Sequence, residues 1–174
     1  MSSSEQMGAL MKLGQVAHML GHRLDFLFRP DMYKIPGYDA IFIRALTDPL
    51  NSSYVAARLA QMNGLRVIDD PESIYICCDK VNMYRHLQDK NVPMPETRFL
   101  IESDLNHATG ARLLEAMGAP LVLKAPNSSF SMYVEKVATP EEFVAVGTRY
   151  LRRADRVVAQ KFVRSQFDWR VCVL

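Results

Sequence analysis

Long apolar runs are missing from this 174-residue chain: the longest, Ile74 to Cys78, has five residues. A membrane-spanning helix needs roughly 18 or more, so a transmembrane segment and a membrane partner are excluded. The opening Met-Ser-Ser-Ser-Glu has neither a basic start nor an apolar core, and no signal peptide is readable in it. Cysteine is scarce. Of three thiols, Cys77 and Cys78 are neighbours, a poor geometry for pairing, and no CxxC or Cys/His spacing suits zinc. The expectation is three buried thiols in a reducing, cytoplasmic setting. Neither sign of charge dominates. Lys plus Arg is 21 against 19 for Asp plus Glu, a net +2, too small an excess for a nucleic-acid surface. Both common phosphate cradles, GxGxxG and GxxxxGK[ST], are absent, which counts against a Rossmann-like dinucleotide binder.

What is present reads as ordinary globular protein, 49% hydrophobic and 23% charged, long enough for one domain or two small ones tightly joined. Ser4 to Leu20 has helical spacing, and its methionines read as core rather than as a cofactor box. Leu24 to Phe28 reads as a strand, Arg29-Pro30-Asp31 as a turn and Tyr38 to Ile43 as a buried strand. A helix over Asn51 to Met62 ends at Asn63-Gly64, and the strand Leu65 to Ile68 is broken at Asp70-Pro71. Such alternation predicts an α/β arrangement with parallel strands.

The rhythm then changes, and a boundary falls near Ile74 to Asp79, giving parts 1–75 and 76–174. The spacing predicts a helix over Asp79 to Lys90, a strand over Thr97 to Ile101, a helix over Leu105 to Met117 and a strand over Leu121 to Lys124. A strand over Met132 to Val137 follows. Thr139-Pro140-Glu141-Glu142 is a strong helix start, with a Thr cap, Pro in the first turn and two acids on the dipole. The last strands are Val157 to Phe162 and Trp169 to Leu174. Two strand-helix-strand units joined by a loop after Lys124 make a small α+β subdomain. The apolar edge at Val171 to Leu174 allows a homo-oligomer.

The histidines His18, His22, His86 and His107 sit in or at the ends of predicted helices, away from any nucleophile motif, and are not read as catalytic. Three features point to chemistry. Asp79-Lys80 opens a helix, where a lysine meets an anion. Lys124 ends an apolar strand and is followed by Ala-Pro-Asn-Ser-Ser-Phe-Ser, a cation beside small hydroxyls and loop N–H groups. Gln160, Lys161, Phe162 and Val163 end a strand ahead of Asp168-Trp169-Arg170, a place where backbone bonds a purine and an acid bonds ribose.

In their order along the chain (Pro71-Glu72-Ser73-Ile74, Asp79-Lys80, Val92-Pro93-Met94-Pro95-Glu96-Thr97, Pro120 to Lys124, Gln160 to Val163 and Asp168 to Arg170) these pieces resemble the ATP-grasp superfamily. The likeness runs from about Ile41 onward. It is to the RimK-type branch, the ribosomal-protein glutamate ligases and glutathione-synthetase-like ligases.

The resemblance implies a small strand-helix N-terminal domain followed by an incomplete ATP-grasp fold, its α+β lid subdomain. It implies an ATP-dependent carboxylate–amine ligase that forms an acyl phosphate, with magnesium bridging the phosphates and an unidentified acid and amine as substrates. Carried over by position, Lys80 and Lys124 hold phosphate oxygens, and Ser128 and Ser129 lie in the flap over them. Gln160, Lys161, Phe162 and Val163 form the adenine-facing strand. Asp168 meets ribose, and Arg170 points toward phosphate or substrate. Two positions depart from the family: the Asn127 to Ser131 flap has no glycine, and Lys161 stands where Glu is usual. The family's metal ligands come after the strand that here ends at Leu174. The expectation is therefore magnesium ligands beyond Leu174 and a chain inactive by itself. The alternative is a catalytically silent nucleotide-binding or protein-interaction module.

Overall fold

The computed structural model describes residues 3–127, 132–169 and 171. Its first part is α1 (Ser3–Met19), β1 (Ala40–Phe42), α2 (Ser52–Met62), β2 (Arg66–Ile68) and α3 (Pro71–Cys77). β1 and β2 pair in parallel, with Ile41 opposite Val67, and α2 is the crossover between them, as the alternation predicts. Asn51 caps α2 by accepting from Ser53 N (3.0 Å). Gly64 then leaves the helix at φ +73°, a conformation costly for any residue with a Cβ.

Four expectations fail in this part. The strand within Tyr38 to Ile43 is not buried: Phe42 is 55% exposed and Ile41 only half-buried, because the two-stranded sheet has little covering its faces. Leu24 to Phe28 forms no strand. Arg29-Pro30-Asp31 is no simple turn but the start of a 3-10 stretch over Arg29–Gly37, which Asp31 closes by accepting from Phe28 N and from Lys34. The α1 methionines are not core: Met7, Met11 and Met19 are exposed. A helix satisfies its own backbone, but burying its apolar stripe takes a partner surface.

The second part holds α4 (Lys80–Asp89), β3 (Thr97–Leu100), α5 (His107–Met117), β4 (Leu121–Lys124), β5 (Val134–Val137), α6 (Pro140–Leu151) and β6 (Val157–Lys161). The four strands form one antiparallel sheet in the order β3-β6-β4-β5. Alternation gives each strand two faces. Leu121, Leu123, Val137, Val157 and Ala159 pack with Leu113, Met117, Phe143 and Tyr150 of α5 and α6 into the core. Those helices cross at small residues: a Cβ on Gly110 would meet Phe143 at 3.0 Å, and one on Gly147 would meet Leu105 at 2.6 Å.

Trp169 and Val171 lie outside any strand, and the remainder of the expected strand to Leu174 falls outside the described residues, so no described strand edge forms there. The thiols differ too: Cys77 is exposed, because it lies on the outer face of α3, and Cys78 is half-buried, its Sγ donating to Thr47 O (2.8 Å). Cys172 is outside the described residues. No helix of the described residues is long and apolar enough to cross a membrane.

Candidate functional site

The second face of the sheet carries the candidate site. Register places Thr97, Gln160, Val122 and Lys136 in one row across it, and Val158, Lys124 and Val134 in the next. The end of β4 thus puts Lys124 on the side away from the core. Asp79 caps α4, accepting from Val81 N (2.7 Å) and Asn82 N (2.9 Å), so Lys80 occupies the first helical position. Lys80 is tied to the chain after β4: its backbone N–H and its Nζ both donate to Pro126 O, at 3.2 and 3.4 Å.

Lys124 closes the arrangement. Its ammonium donates to the Tyr84 hydroxyl oxygen (2.8 Å) and to Gln160 Oε1 (2.6 Å). Gln160, buried on β6, donates through Nε2 to Thr97 Oγ1 (2.9 Å), and Thr97 donates to Pro95 O (2.8 Å). A continuous polar chain therefore runs from β3 through β6 and β4 to α4. Both described partners of the Lys124 ammonium are neutral. Burial, and after it the neighbouring Lys124 charge, hold the Lys80 ammonium below the ordinary lysine range, with Asp79 opposing. Two cations brought together in a half-buried place suit an anion between them.

The adenine-facing expectation needs correction in one respect. Over Val157–Lys161, β6 is a central strand, paired with β3 on one side and β4 on the other. Lys161 N also donates to Glu96 O (2.9 Å). The backbone of Gln160 and Lys161 is thus used within the sheet, and it is the side chain of Gln160 that enters the site. Phe162 and Val163 follow the strand, outside the ladder. Lys136 Nζ stands 3.9 Å above the Phe162 ring, a cation–π contact on the same face.

The structure brings Lys80, Lys124 and Gln160 into one cluster and sets Phe162 at its side of the sheet. Asp168 is exposed in an irregular segment, and no hydrogen bond or ion pair among the described residues joins it to the cluster. Ser128, Ser129 and Arg170 lie outside the described residues. Sequence reasoning missed Tyr84 and Thr97. The signal for Tyr84 is its spacing, four residues after Lys80 on one helix and hence on the same face. Thr97 has no such signal, since only β3–β6 pairing places it opposite Gln160.

Beside the start of α4 an open cleft of about 190 Å³ is lined by Asp48, Tyr75, Cys78, Asp79, Asn82 and Asn127. A larger hollow, about 430 Å³, lies between β3 and α5 and holds none of the cluster. Among the described residues no group of three or more His, Cys, Asp or Glu could hold a metal ion. The cluster, made of cations and neutral polar groups, does not fit magnesium.

No protein-family model matches the chain, and no curated protein matches it in sequence. Solved structures do match in fold. A RimK domain protein ATP-grasp from Sphaerobacter thermophilus is 21% identical with a TM-score of 0.57, over 74% of this chain and 47% of its own. D-alanine–D-alanine ligase from Bacillus anthracis is 19% identical with a TM-score of 0.63, over 94% and 54%. Carboxyaminoimidazole ribonucleotide synthase from Aspergillus clavatus, complexed with ATP, is 20% identical with a TM-score of 0.57, over 84% and 37%. This chain thus has part of an ATP-grasp fold, resembling that of RimK-domain proteins. It spans roughly a third to a half of the length of the structures it matches.

Proposed function

We propose that this chain is the ATP-binding portion of an ATP-dependent carboxylate–amine ligase. In this reading residues 1–75 form the preceding α/β domain and 76–174 the first part of the ATP-grasp domain. The observation that carries it is the meeting of Lys80 and Lys124, from α4 and β4, in a half-buried site where Lys124 is bonded to neutral groups. Bound there, ATP would supply the phosphoryl group that turns a substrate carboxylate into an acyl phosphate for an amine to attack. The work of this chain is to bind and orient. Lys80 and Lys124 hold phosphate oxygens, with Ser128 and Ser129 over them. Gln160 fixes the Lys124 ammonium. The backbone at Phe162 and Val163 meets adenine next to Lys161, Asp168 meets ribose, and Arg170 serves phosphate or substrate. The donor set fits a polyphosphate. No step is assigned to magnesium.

Calorimetric titration of ATP, ADP and NAD into the purified chain tests this. The expected result is binding of the two adenine nucleotides in preference to NAD. Charged hydrogen bonds contribute about 1.5–3 kcal/mol, so Lys124→Ala should weaken ATP about ten- to a hundredfold with little change in melting temperature. Unaltered affinity in that variant would refute the assignment. The lowered basicity of Lys80 adds a pH signature. An anion favours the charged ammonium, so ATP binding should take up protons on the alkaline side, and affinity should fall there as pH rises through the lowered pKa. Titrations in buffers of different ionisation heat measure that uptake.

A further inference from the structure

Around Lys124, once the internal hydrogen bonds are drawn, Lys124 and Tyr84 each keep a donor. Gln160 is oriented at both ends, with Oε1 on Lys124 and Nε2 on Thr97. Thr97 spends its proton on Pro95 O. An ammonium has three N–H groups and no lone pair, and Lys124 uses two of them, on Gln160 and on Tyr84. In the second contact Tyr84 is the acceptor. Its own O–H therefore remains to be donated, and no acceptor for it occurs among the described residues. Tyr84 is half-buried, one turn along α4 from Lys80, so this donor lies on the helix face that also presents Lys80. The N–H left on Lys124 and the O–H left on Tyr84 call for a ligand rich in acceptors.

We propose that the Tyr84 hydroxyl is a binding residue of the same site, donating its proton to a phosphate oxygen of the bound nucleotide while its lone pair holds the Lys124 ammonium. This rests on the nucleotide reading above. Tyr84 is the residue that couples the two elements of the site: it belongs to α4 with Lys80, and it orients the cation of β4. The hydroxyl then contributes to nucleotide affinity in proportion to the phosphates it can reach, and contributes nothing to a bare nucleoside.

Tyr84→Phe keeps the ring and removes only the hydroxyl. ATP, ADP and adenosine are titrated into the unsubstituted chain, into this variant and into His86→Ala, an exposed change on the same helix. The expected result is an affinity for ATP and ADP about tenfold weaker in Tyr84→Phe, with adenosine unaffected and His86→Ala like the parent. An equal loss for adenosine would make Tyr84 structural and overturn the proposal, as would undiminished ATP affinity. Failure of the parent chain to bind ATP at all would instead overturn the nucleotide reading together with this one.

Discussion

The two parts of the molecule are built to different standards of packing. From β3 to β6, four antiparallel strands and two helices enclose a core in which Phe143, Tyr150, Leu121, Leu123, Val137 and Val157 are fully buried. From α1 to β2, among the described residues, two three-residue strands pair with each other alone, and Phe42 and Ile68 are more than half exposed. The buried apolar positions there, Ile35, Ala57 and Ala60, lie on α2 or against it. Apolar content does not separate the two, since α1 and α6 are both rich in it. What differs is whether an element meets a second layer that is fitted to it. The candidate site lies within the second part: one side is the sheet, and the other is α4, tied to it by the polar contacts of Lys80 with Pro126 and of Tyr84 with Lys124.

The most severe test of the comparison is Phe143→Ala. It empties the space between α5 and α6 and should cost about 3–5 kcal/mol, read from chemical denaturation. A loss of less than about 1 kcal/mol would mean that the second part is no better packed than the first. A smaller effect is expected at the start of α3. There Asp70 accepts from the Ser73 hydroxyl (2.5 Å) and from the N–H groups of Glu72 and Ser73. The Ser73 hydroxyl bond, followed by those backbone bonds, holds its carboxyl below the usual range. Asp70→Ala should remove about 1 kcal/mol, as caps do. The sign of its pH dependence follows from that lowered pKa. The cap's contribution is present above the unfolded value of about 3.9 and is lost as pH falls through the folded one. Parent and variant should therefore converge in acid, and a constant gap down to low pH would contradict the cap. The smallest effect belongs to α1. Met19 is 83% exposed, and Met19→Ser should change stability by no more than about 0.5 kcal/mol. A loss of 2 kcal/mol or more would show that α1 packs against something in solution.

Much of the local structure was legible. Thr139 caps α6 by accepting from Glu142 N, Asp79 and Asn51 cap their helices, and α6 starts at Pro140 as the pattern predicts. Lys80 and Lys124 were legible as candidates for the same reason: a helix start and a strand end are local features with known chemistry. Three things were not. Leu24 to Phe28 has strand composition but finds no strand to pair with, and composition cannot supply one. The methionines of α1 repeat at helical spacing yet face solvent. Gln160 looked like backbone for a ligand, whereas β6 lies between β3 and β4 and turns that backbone inward to the sheet.

Caps, breakers and periodicity can be read along the chain because their hydrogen bonds close within a few residues. The meeting of Lys124 with Tyr84 and Gln160, residues 40 and 36 positions away, comes from long-range pairing instead. The same pairing puts β6 at the centre of the sheet, and among the described residues nothing covers the methionines of α1. Such contacts depend on which strand pairs with which and in what register, and a one-residue slip would turn Lys124 from the site into the core.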